Sequence, residues 1–365
     1  MNEPITSANR IDAEINLKQL AYEHRLEKAK FFSLLTYLKN TDASNELLFS
    51  LARKITESHF GNGVYIRGLI EFTNYCINDC YYCGIRKSNE SISRYRLTKD
   101  EILACCEEGY RVGFRTFVLQ GGEDPALTDE ILMQLITEIK SLYPDCAITL
   151  SIGERTKESY KALYNSGADR YLLRHETASP NHYRKLHPAS MSLSKRKQCL
   201  LDLKEIGFQV GAGFMVGSPF QTTENLLEDL FFLQELKPHM IGIGPFISHH
   251  QTPFRKEKSG SLFLTLQLLA LIRLMHPEVL LPATTALSSI DEKGRELGFL
   301  AGANVVMPNL SPFNLRKQYD LYDNKLSAGS EAGEGLEALS AQLALIDRTI
   351  IIGRGDHPSI KPPKL

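Results

Sequence analysis

The 365-residue sequence predicts an α/β fold: a (β/α)8 barrel of the TIM type with an N-terminal helical leader and a C-terminal helical extension. Eight short apolar runs have the length and composition of buried strands. The segments between successive runs have helical periodicity, as in "DEILMQLITEIKSLY". Eight such units over roughly 250 residues match the size of this barrel. A doubly wound open sheet is the alternative, which is weakened because no Gly-rich nucleotide fingerprint follows the first run.

The eight predicted strands cover residues 64–72, 116–120, 147–152, 170–174, 209–216, 240–246, 279–285 and 304–308. Four of these runs follow a turn with a glycine where a helix C-cap glycine would stand, namely Gly113, Gly167, Gly207 and Gly302. In "LTKDEILACCEEGY", Thr98 and Glu101 predict a capping box at the start of a helix. The predicted domains are the leader over 1–60, the barrel over 61–325 and the extension over 326–365.

Composition limits the classes of partner and the compartment. The 43 acidic and 42 basic residues nearly cancel, which argues against nucleic acid or an anionic membrane as the main partner. No run of eighteen apolar residues occurs, and the polar start "MNEPITSANR" does not match a signal region. We therefore expect a cytoplasmic protein. An odd number of cysteines, seven, indicates reduced thiols or metal ligands rather than disulfides.

Polar residues gather where the predicted strands end. They are Gln120, Glu123, Asp124, Ser151, Glu154, Arg174, His175, Glu176, Thr284, Thr285, Met307 and Asn309. Active sites of such barrels lie at the carboxyl ends of the strands. Arg174 and Glu176 should face the same way on an extended strand. A ring of such groups favours a polar ligand.

The loop after the first strand, "CINDCYYCGIR", carries three cysteines at Cys76, Cys80 and Cys83. Thiolates suit zinc or iron–sulfur clusters, and a structural zinc site needs four protein ligands. A [4Fe–4S] cluster with three cysteines would keep one iron open to another ligand. The other four cysteines are interpreted as small buried hydrophobic residues, namely Cys105, Cys106, Cys146 and Cys199.

The spacing Cys-x3-Cys-x2-Cys, with Tyr82 just before the last cysteine, resembles the radical S-adenosylmethionine (SAM) superfamily. Further motifs narrow the resemblance: "GLIEFTNYC", "YYCGIR", "RYRLT", "VLQGGEDP", "DRYLLRHETA", "GAGFMVGSPFQT", "GIGPFI", "PATTA" and "GANVVMPN". Together they resemble the HydE family of [FeFe]-hydrogenase maturases. The likeness covers nearly the whole predicted barrel.

The resemblance implies one [4Fe–4S] cluster, held by Cys76, Cys80 and Cys83, and SAM chelated to its open iron. One electron would then cleave SAM to a 5′-deoxyadenosyl radical. The residues that match cofactor contacts are Tyr82, Gln120, Ser151, Glu176, Arg196 and Met307. The residues that match the catalytic lining of the inner cavity are Arg174, Thr284, Thr285 and Tyr322, with Gln120 and Met307 on the same wall.

The family also implies partners. Its substrate is an organometallic iron complex made by HydG, its product passes to HydF, and an external donor supplies electrons. Some members carry a second cysteine triad near the C-terminus. Because no cysteine follows Cys199 here, a single cluster is expected.

Other readings stay open. A methylornithine synthase-like amino-acid mutase would share the leader, the cysteine loop and the barrel, although "VLQGGEDP", "RHETA" and "GIGPFI" look like the HydE versions. A non-catalytic iron–sulfur carrier would not need polar groups on most strand ends. A structural zinc protein is a third option. Sulfur insertion of the biotin synthase type is disfavoured, because no cysteine-and-arginine set for an auxiliary cluster is apparent.

Overall fold

A computed structural model describes residues 7–40, 46–325 and 332–360 of the chain. The strands are β1 (Gly63–Ile66), β2 (Gly68–Thr73), β3 (Thr116–Gly121), β4 (Ala147–Ser151), β5 (Arg170–Leu172), β6 (Gln209–Ala212), β7 (Met215–Val216), β8 (Met240–Ile241), β9 (Gly244–Pro245), β10 (Val305–Val306) and β11 (Thr349–Ile351). The helices are α1 (Ser7–Glu23), α2 (Lys28–Lys39), α3 (Glu46–Phe60), α4 (Lys99–Arg111), α5 (Asp129–Leu142), α6 (Lys157–Asn165), α7 (Pro180–Leu186), α8 (Leu193–Ile206), α9 (Thr223–Leu236), α10 (Leu262–Met275), α11 (Thr285–Ile290), α12 (Gly294–Leu300), α13 (Phe313–Arg316) and α14 (Ala332–Ala344).

The strands form a closed parallel ring. The main sheet has the order β2-β3-β4-β5-β6-β8, and β1 pairs with β10. Single bridges complete the circle, from Met240 to Leu280 and from Pro282 to Val305. Because β1 and β2 are successive parts of one chain segment, the ring has eight members. The predicted α/β barrel is confirmed, as are the capping box at Thr98 and the positive φ angles of 103° to 112° at the four turn glycines.

Several predicted strands were wrong in detail. The run 279–285 forms no ladder and contributes only the bridges at Leu280 and Pro282. Proline has no N–H to donate to a ladder, and helix α11 already begins at Thr285. The runs 64–72, 209–216 and 240–246 are each broken into two short strands. Near the middle of the last two runs, Gly213 and Gly242 approach so closely that a side chain on Gly213 would collide with the Gly242 carbonyl.

The first three helices cover the outside of the barrel next to α10. Helix α10, "LFLTLQLLALIRLM", is buried from Thr265 to Met275, which suits a helix that is apolar on nearly every face. Helices α1, α2 and α3 pack against it. The predicted domain boundaries remain a prediction. No helix among the described ranges is both long and apolar enough to cross a bilayer.

The C-terminal segment closes the amino end of the barrel, which the sequence did not predict. Strand β11 pairs with β1, and the chain then runs beside β3, where the Thr116 hydroxyl donates to the Arg354 carbonyl at 2.7 Å. The Asp356 carboxylate accepts hydrogen bonds from Arg170 Nη2 at 2.5 Å and from Arg354 Nε at 2.8 Å. Burial alone would raise the pKa of Asp356, but the two guanidinium groups lower it below its usual value. This segment therefore covers the barrel floor and pairs Asp356 with both Arg170 and Arg354.

We expect Asp356→Asn to lower the free energy of unfolding by about 3 kcal/mol, because Arg170 would stay buried without its counter-ion. Urea unfolding followed by circular dichroism measures this. Glu108→Gln breaks an exposed pair with Arg111 and serves as the control, with an expected change of about 0.5 kcal/mol or less. Equal effects for the two variants would contradict the assigned role of the floor network.

Candidate active site

The cysteine loop lies across the carboxyl end of the barrel. It leaves β2 at Thr73, and three neighbouring segments hold its backbone. The N–H groups of Ile77, Tyr81 and Gly84 donate to the carbonyls of Glu123, Leu186 and Leu321 at 2.9, 3.0 and 2.9 Å. Glu123 follows β3, Leu186 is the last residue of α7, and Leu321 belongs to the segment after α13. The loop is thus fixed at the end of the barrel where the sequence predicts the site.

The three loop cysteines are partly buried and free. Burial raises the pKa of Cys80 to about 12, and it also raises the pKa of Cys76 and Cys83. Without a metal these groups are therefore neutral thiols and poor nucleophiles. A bound metal would deprotonate them. The loop fits metal ligation better than covalent or redox catalysis by cysteine.

The three cysteines differ from the donor set of a structural zinc site. Thiolates around one zinc ion, each at about 2.3 Å, stand about 4 Å apart. Among the described residues, the set of three donor groups within 4.8 Å of one another is His249, His250 and Asp323, and the cysteines do not form such a set. Three loop cysteines also fall one short of the four protein ligands of a structural zinc site, whereas three thiolates can hold a cluster that keeps one iron open.

Arg196, on α8, faces two carboxylates near the loop. Its Nε lies 2.9 Å from Glu154 Oε1, and its Nη2 lies 4.0 Å from Glu123 Oε1. Neither Arg196 Nε nor Glu154 Oε1 makes an aligned hydrogen bond, although both atoms are buried. Burial alone would lower the pKa of Arg196, but Glu154 and other nearby anions raise it. The buried Arg196 Nε and Glu154 Oε1 therefore keep hydrogen-bonding capacity for a ligand.

Arg174 and Glu176 follow β5 and form a second such pair. Arg174 Nη2 lies 3.1 Å from Glu176 Oε2, which confirms that the two side chains face the same way. Both atoms, and Arg174 Nε, are buried without an aligned hydrogen bond. Glu176 adopts φ of 65°, a conformation that costs energy for a residue other than glycine. Tyr322 interacts electrostatically with Arg174, and burial raises its pKa to about 12.

The remaining candidates lie on neighbouring strand ends. Gln120 and Ser151 are partners in the β3–β4 register. Thr284 is the N-cap of α11, and its hydroxyl lies 3.4 Å from the Ile243 carbonyl, while Thr285 is the first residue of that helix. Met307 packs against an apolar group formed by Met240, Leu280 and Val305. In addition to the two ion pairs, these strand ends therefore carry an amide, three hydroxyl groups and a thioether.

The sequence did not indicate what holds Tyr82. Its hydroxyl lies 3.0 Å from His187 Nε2, while His187 Nδ1 donates to the Tyr183 carbonyl at 3.0 Å. Since Nδ1 carries the proton, Nε2 accepts from the tyrosine. The imidazole also stacks on the Tyr183 ring at 3.9 Å. No spacing rule links His187 to the cysteines, and Glu154 as the close partner of Arg196 was equally unpredicted.

A closed parallel barrel with this cysteine loop at its carboxyl end defines a radical SAM enzyme. The profile of the Radical SAM superfamily matches residues 70–233. The superfamily uses a [4Fe–4S] cluster and SAM, which confirms the predicted cofactors.

The chain is 46% identical to the [FeFe] hydrogenase maturase subunit HydE of Thermotoga maritima over 287 residues, which is 79% of this chain and 82% of the relative. It is 30% identical to the 3-methylornithine synthase of Methanosarcina acetivorans, over 72% of this chain and 73% of the relative. The chain belongs to the HydE family of the radical SAM superfamily.

Solved structures agree with the fold. The crystal structure of methylornithine synthase (PylB) has a TM-score of 0.80 at 25% identity and covers 92% of this chain and 97% of that one. The HydG maturase from Carboxydothermus hydrogenoformans has a TM-score of 0.77 at 20% identity and covers 94% and 80%. The second likeness concerns the fold alone.

His187 should make stability depend on pH. Burial lowers the pKa of His187 to about 3 in the folded chain. In the unfolded chain this histidine takes up a proton near pH 6.5, whereas in the folded chain it stays neutral at that pH. Lowering the pH from 7 to 5 should therefore remove about 2 kcal/mol of stability through this group. In His187→Gln that part of the fall should disappear.

Urea unfolding at the two pH values measures the difference. His59→Gln removes an exposed histidine and is the control, which should keep the pH dependence of the wild type. An unchanged fall in His187→Gln would refute the assignment.

Proposed function

We propose that this chain is a radical SAM enzyme of [FeFe]-hydrogenase maturation that acts on an organometallic iron precursor of the diiron subcluster. One observation carries the proposal: a three-cysteine loop lies at the barrel mouth together with two ion pairs that contain buried atoms without aligned hydrogen bonds. Buried polar atoms are normally satisfied, so such groups at a mouth favour a charged ligand. The 46% identity to a HydE maturase supports the choice of pathway.

Cys76, Cys80 and Cys83 would hold the cluster, and the candidates for SAM are Tyr82, Gln120, Ser151, Glu176, Arg196 and Met307. Bound together, the cluster and SAM supply 5′-deoxyadenosyl radical chemistry. The methionine end of SAM carries a carboxylate and an ammonium group. The Arg196 guanidinium suits the carboxylate, and the Glu154 carboxylate beside it suits the ammonium group. The hydrogen bond from Tyr82 to His187 would hold the Tyr82 ring in one orientation next to Cys83.

The inner candidates offer donors to an anionic substrate. Arg174 keeps two nitrogen atoms without aligned partners, and Thr284 and Thr285 add hydroxyl groups. A tyrosine with a pKa of about 12 stays protonated at neutral pH, so Tyr322 would be a donor as well. Hydrogen bonds from a guanidinium to an anion are among the strongest available in proteins. An iron complex with cyanide ligands is an anion of this kind.

The segment 318–325 helps to close the mouth. The Leu321 carbonyl accepts a hydrogen bond from Gly84 of the cysteine loop, and the Asp323 N–H donates to the Ser248 carbonyl. Lys325 forms an ion pair with Glu71 at 2.5 Å. Asp320 and Asp323 also contact His249 and His250 at 3.1 and 2.6 Å. A closed mouth keeps water from a radical intermediate. In this proposal HydG supplies the substrate, HydF receives the product, an external donor supplies electrons, and the enzyme works in the cytoplasm.

The second candidate is an amino-acid mutase. Methylornithine synthase shares 25% identity and almost its whole length with this chain. An amino acid would engage the same arginines through its carboxylate. Turnover of the HydG product, compared with turnover of free amino acids, separates the two functions.

Cys80→Ala should abolish a SAM-responsive cluster, because two cysteines cannot replace the three-ligand set. Anaerobic reconstitution, followed by dithionite reduction and EPR with and without SAM, measures this. Cys105→Ala removes a buried thiol outside the loop and should keep the signal and its shift on SAM addition. The apo form of Cys80→Ala should still fold, since the core does not depend on the cluster. A SAM-dependent signal in Cys80→Ala would contradict the ligand assignment.

Arg196→Met and Arg174→Met should separate cofactor binding from substrate binding. Losing one charged hydrogen bond costs about 2 kcal/mol, so Arg196→Met should bind SAM roughly thirtyfold more weakly. Arg174→Met should bind SAM within about threefold of wild type, yet convert the iron substrate poorly. Calorimetric titration with SAM and a product assay measure the two effects. The same loss of SAM affinity in both variants would contradict this division.

A further inference from the structure

Arg94, in the motif "RYRLT", makes an unusual set of contacts with the cysteine loop. Its Nη1 donates to the carbonyls of Asn74 and Ile85 at 2.5 and 2.9 Å. Its Nη2 donates to the carbonyls of Arg86 and Asn89 at 2.7 and 3.1 Å. The two terminal nitrogens carry four N–H groups, and each of the four has one carbonyl partner.

These four carbonyls lie on both sides of the cysteines. Asn74 stands two residues before Cys76, and Ile85 stands two residues after Cys83. One guanidinium therefore ties the entry of the loop to its exit. Asn74 strengthens the tie, because its side-chain amide donates to the Ser93 carbonyl and its side-chain oxygen accepts from the Tyr95 N–H, both at 2.8 Å.

The charge of Arg94 is also directed at the loop. The thiols of Cys76 and Cys83 and the hydroxyl of Tyr75 lie near enough to attract its positive charge when they are deprotonated. Its neighbour Arg96 differs, since it pairs with Asp124 at 2.6 and 2.9 Å and stacks on the Tyr75 ring. Arg94 thus uses its donors on loop carbonyls and keeps its charge beside two of the proposed ligands.

We propose that Arg94 is the positioning residue that shapes the cysteine loop for the cluster, holding Cys76 and Cys83 in register by bridging the two ends of the loop. The proposal rests on the proposed cluster site. A planar fork is required, because a lysine ammonium has three N–H groups on one atom and cannot span four carbonyls. The loop has no regular secondary structure of its own over residues 74–95 to do this.

The test compares wild type, Arg94→Lys and Arg115→Lys. Arg115 is a matched control, since its Nη1 also donates to two carbonyls, those of Tyr110 and Phe114, in another part of the barrel. Each protein is reconstituted with iron and sulfide, and cluster loss to a chelator and the EPR spectrum of the reduced cluster are recorded. Melting of each apo protein is followed by circular dichroism.

We expect Arg94→Lys to lose its cluster roughly ten- to a hundredfold faster than wild type, the usual cost of removing a residue that supports metal ligands. Its EPR spectrum should change, while its apo form melts no lower than that of Arg115→Lys. Arg115→Lys should keep the cluster like wild type.

Cluster retention in Arg94→Lys equal to wild type would overturn the inference, because charge alone would then suffice. So would an apo form of Arg94→Lys that melts well below Arg115→Lys, since Arg94 would then support the whole fold. A wild-type chain that takes up no cluster would instead overturn the proposed function, and this inference with it.

Discussion

The backbone of the cysteine loop has many polar groups and no helix or sheet to satisfy them, and the architecture of the barrel mouth follows from that constraint. The loop takes its partners from the residues after β3, from the end of α7, from the segment 318–325 and from Arg94. The segment after β3 adjoins the candidate Gln120, and the segment 318–325 carries the candidate Tyr322. The contacts that hold the loop therefore also position the site. A change in any of them should alter the positions of the loop thiols.

The two ends of the barrel treat buried charge differently. At the floor, Asp356 satisfies Arg170 and Arg354 with short, aligned hydrogen bonds, so the ions contribute a closed network. At the mouth, the ion pairs Arg174–Glu176 and Arg196–Glu154 are close but not aligned, and several of their atoms have no hydrogen-bond partner. Buried polar atoms in that condition are costly unless a ligand supplies their hydrogen bonds. The floor pairs are closed by their own hydrogen bonds, whereas the mouth pairs leave several atoms without a partner.

Local patterns in the sequence were enough for the general architecture and for the chemical centre. Strand length, helical periodicity and turn glycines depend on neighbouring residues, so eight parallel units and the cysteine loop could be recognised. The ends and breaks of the short strands were harder to predict. Pro282 breaks a ladder, and the close approach of Gly213 and Gly242 splits two strands, because backbone contact between strands distant in sequence decides where a ladder ends. Strand β11 has a partner in β1 286 residues away, and no local signal encodes such a pairing.

The sequence by itself determined the fold class from repeated local patterns, the family from its motifs, and the three cysteines from their spacing in one loop. It also placed Arg174 and Glu176 on the same side, although both lie beyond the end of β5 and Glu176 has a positive φ. Only the tertiary structure decided that Glu154 is the close partner of Arg196, that His187 holds Tyr82, that Arg94 bridges the loop and that the C-terminal segment seals the floor. The physical reason is that hydrogen bonds and ion pairs act over about 3 to 4 Å. Their partners come from whichever loops the closed ring brings together, and this depends on the position of every strand in the ring.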